Sequence, residues 1–320
     1  MTQATPSNMP LNRPNIYKTL PGYFTNALKD FQTSQSPFRL LQTLQPKNPT
    51  PQPPTPNPTP SPATLLILDS SFNPPSTAHL NLARTALSKS SEPLKTTPGP
   101  HRLLLLFSTM NADKAPSAAS FAQRLTLMTL FAHDLQENLL ASAETHACPA
   151  IDIGVTTAPF YTDKSAAIAS SPEGENWYPS SPRHIHLLGY DTLTRFFAAK
   201  YYAGKFDPPL AALEPYFSAG HRLRATLRPD DAYGSEEEQR AFLRRLAEGE
   251  MEAEGGRRDW ADLVELVEAT PQVGVSSTAI RKAAKQGDWR VVGELCTEGV
   301  AAWVREEGLY DEDDRGAKMA

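Results

Sequence analysis

A chain of 320 residues with 40% hydrophobic and 21% charged residues has room for a large buried core. No apolar run approaches the roughly 18 residues of a membrane span, and a formal net charge of -5 argues against a general nucleic-acid binder. Two cysteines, Cys148 and Cys296, are too few for a disulfide framework or a zinc site. They predict a reduced compartment, cytoplasm or nucleus, with both thiols buried.

Residues 1–21 show no apolar periodicity and are expected to be disordered, and their positive charge is too sparse for a targeting presequence. From 22 to 45, Phe24, Leu28, Phe31, Phe38, Leu40, Leu41 and Leu44 suggest one amphipathic helix packing on the main domain. Residues 46–62 hold nine prolines, which predicts an extended, semi-rigid linker and leaves room for a protein partner that reads it.

A domain from 63 to 310 follows. TLLILDS (64–70), RLLLLFS (102–108), AIDIGV (150–155), HIHLLG (184–189), RLRATLR (222–228) and VELVEA (264–269) read as short buried strands. Between them, 78–88, 121–140 and 192–202 have helical spacing, and 277–285, 288–296 and 300–307 close the chain as helices. Alternating strands and helices predict a Rossmann-like, doubly wound parallel sheet with helices on both faces. Polar inserts interrupt it at 170–182 and at 230–259. The second has ten acidic and five basic residues and reads as a solvated helical excursion. Residues 311–320 are expected to be a frayed tail.

In such a sheet, ligands bind at the carboxyl ends of the strands. The first strand of the domain runs into DSSFNPPSTAH (69–79), so Ser76 and His79 fall on one side of a first helical turn. Hydroxyl, imidazole and helix N–H groups there suit a phosphate. VSSTAIR (275–281) puts Ser276, Ser277 and Arg281 at another helix start, a polyphosphate cradle. Lys114 follows the second strand, and Gly189 and Asp191 follow the fourth, at the same sheet edge. Each alone is ordinary: a first-turn histidine is usually structural, a loop lysine is usually solvated, and Asp191 could be a plain helix cap.

Together and in this order, the motifs resemble the nicotinamide/nicotinate mononucleotide adenylyltransferase family of the nucleotidyltransferase superfamily. SFNPPSTAH is similar to the family's SFNPPHxGH, VSSTAIR to ISSTxIR and LLGYDTL to LxGxD. FYTDKSA and the closing AAWVREEGLY also resemble family segments, and the N-terminal helix and the LDSSF start (68–72) look most like its divergent fungal branch. The resemblance implies ATP and nicotinamide mononucleotide as substrates, with NAD and pyrophosphate as products. It implies a phosphate role for His79, assisted by Ser76, and a grip on the departing phosphates by Arg281, Ser276 and Ser277. Lys114 would hold phosphate from its loop. Ser71 and Phe72 would line the nucleotide site through their backbone, and Gly189 and Asp191 would sit by its sugar or base. Tyr161 and Tyr202 fall where the family stacks the nicotinamide ring. Mg²⁺ would ride on the ATP phosphates, with no metal ligands from the protein. Three positions depart from the pattern: Ser76 for His or Thr, Ala78 for Gly, and Ser70 for Gly. A nucleotide-binding regulator or weak ATPase with protein partners, or a nucleotidyltransferase with another acceptor, would keep the same fold and cradle.

Overall fold

The computed structural model describes residues 16–46, 48, 50–110, 119–143, 148–170, 176–228, 233–268 and 275–311. Its strands are β1 (Phe38–Leu44), β2 (Thr64–Asp69), β3 (His101–Ser108), β4 (Ile151–Thr156), β5 (Arg183–Gly189), β6 (Arg222–Thr226) and β7 (Val264–Val267). The helices are α1 (Ile16–Ser34), α2 (Thr77–Ala86), α3 (Glu92–Thr96), α4 (Phe121–Ala141), α5 (Tyr161–Ala169), α6 (Tyr190–Phe196), α7 (Glu214–Ser218), α8 (Glu236–Glu248), α9 (Ser277–Lys285), α10 (Trp289–Leu295) and α11 (Glu298–Glu306). Among the described residues no helix is long and apolar enough to cross a membrane.

One seven-stranded sheet runs β1-β4-β3-β2-β5-β6-β7. All neighbours are parallel except β1, which pairs antiparallel with β4. The inner strands are apolar because both faces are covered. Leu66, Leu68, Leu103, Leu105 and Phe107 pack with α1, α2, α4 and the C-terminal helices. Leu65, Ile67, Leu104 and Leu106 pack on the other face with Phe38, Trp177 and Tyr178. Each such leucine, at essentially zero exposure, contributes about 1.5–3 kcal/mol of burial. From β2 the chain winds outward through β3 and β4, then returns to the other side of β2 and winds through β5, β6 and β7. The strand order therefore reverses between β2 and β5, which opens a crevice at their carboxyl ends.

The first stretch differs from the sequence reading. The helix begins at Ile16 and stops at Ser34, and 38–44 is an edge strand rather than the helix's continuation. Gln35, in the left-handed region at φ 55°, breaks the helix after Ser34, and Pro37 biases the residue before it toward an extended conformation, so the chain leaves as a strand. Leu40, Leu41 and Leu44 then serve a strand whose burial mimics a helical stripe. The strand is pinned from within. The buried Arg102–Asp152 ion pair is joined by the Thr43 hydroxyl, which donates to Asp152 Oδ1 at 2.6 Å, and the Tyr178 hydroxyl, which donates to Oδ2 at 2.7 Å.

The proline-rich stretch is not a free spacer. Thr43 and Gln52 exchange backbone hydrogen bonds at 2.9 Å each way. Pro46, Pro60 and Pro62 wall a cavity of about 380 Å³ with His101, Arg102 and Cys148 at the sheet's amino end. Cys296 is buried as expected, whereas Cys148 is only half-buried. The acidic insert is a helix, α8, but not a fully solvated one: Gln239, Phe242 and Leu246 are buried, and Phe242 and Leu246 pack near Trp260. The expected helix at 192–202 is the short α6 followed by a separate turn at Ala199–Tyr201. Residues 1–15 and 312–320, and parts of both inserts, lie outside the described residues.

Candidate active site

Two connected lobes open at the β2/β5 switch point. The first, about 270 Å³, lies between the start of α2 (Ser76, Ala78, His79), the start of α6 (Gly189, Asp191, Thr192), the end of β6 (Thr226, Arg228) and the start of α9 (Val275, Ser276, Ser277). The second, about 420 Å³, is walled by Ser71, Phe160, Lys164, Arg195, Phe196, Tyr201 and Tyr202. Asp69, Ser70, Tyr161 and Thr192 border both.

His79 lines the first lobe, in the first turn of α2 as the sequence predicts. Its Nδ1 accepts the Ser76 N–H at 3.0 Å and lies 2.8 Å from Ser76 Oγ. Its Nε2 lies 2.9 Å from Ser70 Oγ. A peptide N–H can only donate, so Nδ1 is the unprotonated nitrogen and Nε2 carries the proton. Phe72 lies beneath the ring, with centroids 5.3 Å apart. Crowding by these neighbours lowers the His79 pKa to about 4 through desolvation. At neutral pH the ring is therefore an uncharged donor.

The other predicted residues divide into those the crevice exposes and those held behind it. Gly189 and Asp191 line the first lobe, with Asp191 Oδ2 3.3 Å from the Arg195 guanidinium. Ser276 caps α9 by accepting the Ala279 N–H at 3.2 Å, while the Ser277 hydroxyl donates to Pro74 O at 2.8 Å. Arg281 stands behind the rim, donating to Asn73 O at 2.8 Å and Thr278 Oγ1 at 3.1 Å. Thus VSSTAIR supplies the lobe with a helix start, and its side chains brace the Asn73–Pro74 turn. The Tyr310 hydroxyl completes that brace, donating to Asn73 Oδ1 at 2.9 Å. Ser76 is buried and turned onto His79, so it orients the ring rather than facing open space. Ser71 borders the second lobe, whereas the Phe72 ring is core. Tyr161 sits on the divide, edge-on to His186 at 5.0 Å between centroids. Tyr202 is buried, its hydroxyl tied to Phe196 O at 2.8 Å. Lys114 lies outside the described residues.

Sequence reasoning missed several residues. Lys164 and Asp69 form an ion pair, each side chain 6% exposed, at the junction of the lobes. A carboxylate ending an apolar strand, with a lysine early in a following helix, was the available signal. Lys164 also lies 5.0 Å from the Tyr161 ring centroid. Arg228 brings a cation to the first lobe. Phe160 and the exposed Tyr201 add rings at the mouth of the second.

The site and strand order define a Rossmann-like α/β fold with a nucleotide-sized crevice at its switch point. No family model matches the chain. A curated protein of Schizosaccharomyces pombe described as "Putative nicotinamide mononucleotide adenylyltransferase" is 27% identical over 268 residues, covering 83% of this chain and 88% of that one. Two solved structures of Plasmodium falciparum nicotinic acid mononucleotide adenylyltransferase, one complexed with NaAD and one with APC, are 12% and 11% identical. Each covers 78% of this chain and 98% of its own at a TM-score of 0.43. The fold assignment accordingly rests on the strand order, and the kinship on sequence. Over most of its length the chain is thus similar in sequence to a protein described as a mononucleotide adenylyltransferase.

Proposed function

We propose that the chain transfers the adenylyl group of ATP to nicotinamide mononucleotide or its nicotinate counterpart, giving the dinucleotide and pyrophosphate. The observation that carries this reading is the placement of His79 on the first lobe, 2.9 Å from the hydroxyl of Ser70, which borders both lobes at the switch point. The first lobe has the starts of α2, α6 and α9 and Arg228, suited to a polyphosphate; the second has a wall of aromatic rings, suited to a flat base.

An acceptor phosphate oxygen attacks the α-phosphorus of ATP. A new P–O bond forms as the bond to the bridging oxygen breaks, and pyrophosphate leaves with the electron pair. The attacking phosphate is already anionic, so no general base is needed. Positioning and stabilisation of charge on the α-phosphate oxygens do the work. A neutral His79 held in one tautomer fits a donor role. The N–H groups opening α9 and the Arg228 guanidinium face the departing phosphates. In the second lobe the Lys164 ammonium neutralises Asp69, whose carboxylate would otherwise repel an anionic acceptor.

The residues present fit a magnesium ion carried on nucleotide phosphates rather than held by the protein. Among the described residues, the carboxylates lining the crevice, Asp69 and Asp191, are engaged by Lys164 and Arg195. Such an ion would screen phosphate charge. The test is chromatographic: purified protein with ATP, Mg²⁺ and either mononucleotide should yield the corresponding dinucleotide. Formation of ADP and phosphate alone would favour an ATPase and sink the transfer reading.

A further inference from the structure

Ser70 stands where the related pattern has glycine, and the structure gives it a partner. Its N–H donates to Leu106 O at 3.3 Å, extending the β2–β3 pairing beyond Asp69. The sheet thus fixes its backbone, and the alternation of the strand turns its side chain away from that of Asp69. Its hydroxyl lies 2.9 Å from His79 Nε2. Because Ser76 occupies Nδ1 with its N–H, Nε2 is the protonated nitrogen. Nε2–H then donates to Ser70 Oγ, and the Ser70 hydroxyl proton remains for another acceptor. Ser70 borders both lobes.

We propose that Ser70 is a further catalytic residue, interposing its hydroxyl between His79 and the nucleotide α-phosphate and presenting there the donor that the ring has committed to Ser70 itself. The identity of that phosphate rests on the adenylyl-transfer reading. The hydroxyl does not change its protonation state. Ser76, His79 and Ser70 form a series of hydrogen bonds running toward the crevice, and each bond polarises the next. With the ring neutral, the polarised hydroxyl gives this end of β2 a donor to aim at an anionic oxygen. A glycine would leave a gap there, and an alanine would leave a methyl group that donates nothing.

The experiment compares Ser70→Ala, Ser70→Gly and Ser70→Thr in full-length protein by steady-state dinucleotide formation. It adds NMR of ¹⁵N-histidine-labelled protein, free and with Mg²⁺ and ATP. Ala and Gly should lower kcat by about tenfold or more with the KM for ATP little changed, and Thr should retain most of the rate. A hydroxyl serving only the fold would lower thermal stability without separating kcat from KM. Alanine or glycine variants as fast as the wild type would overturn the proposal, showing the hydroxyl to be merely in the way. So would a His79 ring protonated on Nδ1, whatever the activity. If the wild type makes no dinucleotide, yet ATP shifts the Nε2 signal and Ser70→Ala abolishes that shift, adenylyl transfer fails and the hydroxyl–phosphate contact stands.

Discussion

Acid should unfold this protein well before its carboxylates protonate, because several histidines are held neutral in the fold. His184 and His221 stack at 4.2 Å between centroids, and His186 lies 6.5 Å from His184. Burial lowers His221 to about 4, with Arg183 adding repulsion. His184 is lowered well below 6.5 by burial and then by His221, and His186 by burial and then by His184, His221 and Lys164. His79 is lowered to about 4 by burial. A ring whose folded pKa is depressed leaves the unfolded chain holding more protons below 6.5, so stability falls as the pH falls from 6.5 toward 4. For a ring at about 4, the loss at pH 5 is about 2 kcal/mol. His79 and His221 each carry such a loss, and His184 and His186 add to it in the same direction, against a typical total of roughly 5–15 kcal/mol. Urea unfolding followed by far-UV circular dichroism at about pH 7.5 and about pH 5 measures the loss. His221→Asn keeps an acceptor for the His184 N–H, now 3.1 Å from Nδ1, and removes one titrating ring, so it should flatten the dependence. Equal urea midpoints at the two pH values, or a slope untouched by His221→Asn, would refute the reasoning.

The Lys164–Asp69 pair predicts non-additive stability. Lys164→Met or Asp69→Asn alone leaves an unpaired buried charge and should cost about 3–5 kcal/mol, while the double variant should recover much of it in a double-mutant cycle. Tyr201→Ala should raise the KM for the mononucleotide several-fold and leave that for ATP unchanged, because the ring borders only the second lobe. Gly154→Ala should destabilise the fold by about 1–3 kcal/mol in thermal unfolding. Its Cβ would meet Leu104 and Phe38 at 3.0 Å and Leu40 at 3.2 Å, which measures how tightly β1 is seated.

The parallel sheet was legible because its inner strands are covered on both faces, and continuous runs such as LLLLF can serve little else. The edge strand β1 was not, because Leu40, Leu41 and Leu44 satisfy a helical spacing and a strand equally. Pro37 is the local signal that favours the strand, although α1 itself accommodates Pro21. His79 and the start of α9 were legible from helix-capping chemistry next to a strand end. The position of Arg281 was not, since spacing along a helix places a side chain on a face without saying which carbonyl it will find. Lys164 and Asp69 are 95 residues apart, and nothing local in the sequence pairs them. The tautomer of His79, and with it the place of Ser70, required the Ser76 N–H to be seen on Nδ1.

Adenylyl transfer is tested most directly by following the label of α-phosphate-labelled ATP in the presence of Mg²⁺ and nicotinamide mononucleotide, in wild type and His79→Ala. The label should appear in the dinucleotide, with unlabelled pyrophosphate released, and His79→Ala should slow this by roughly a hundredfold. Label recovered only in ADP or AMP, or transfer indifferent to His79→Ala, would contradict it.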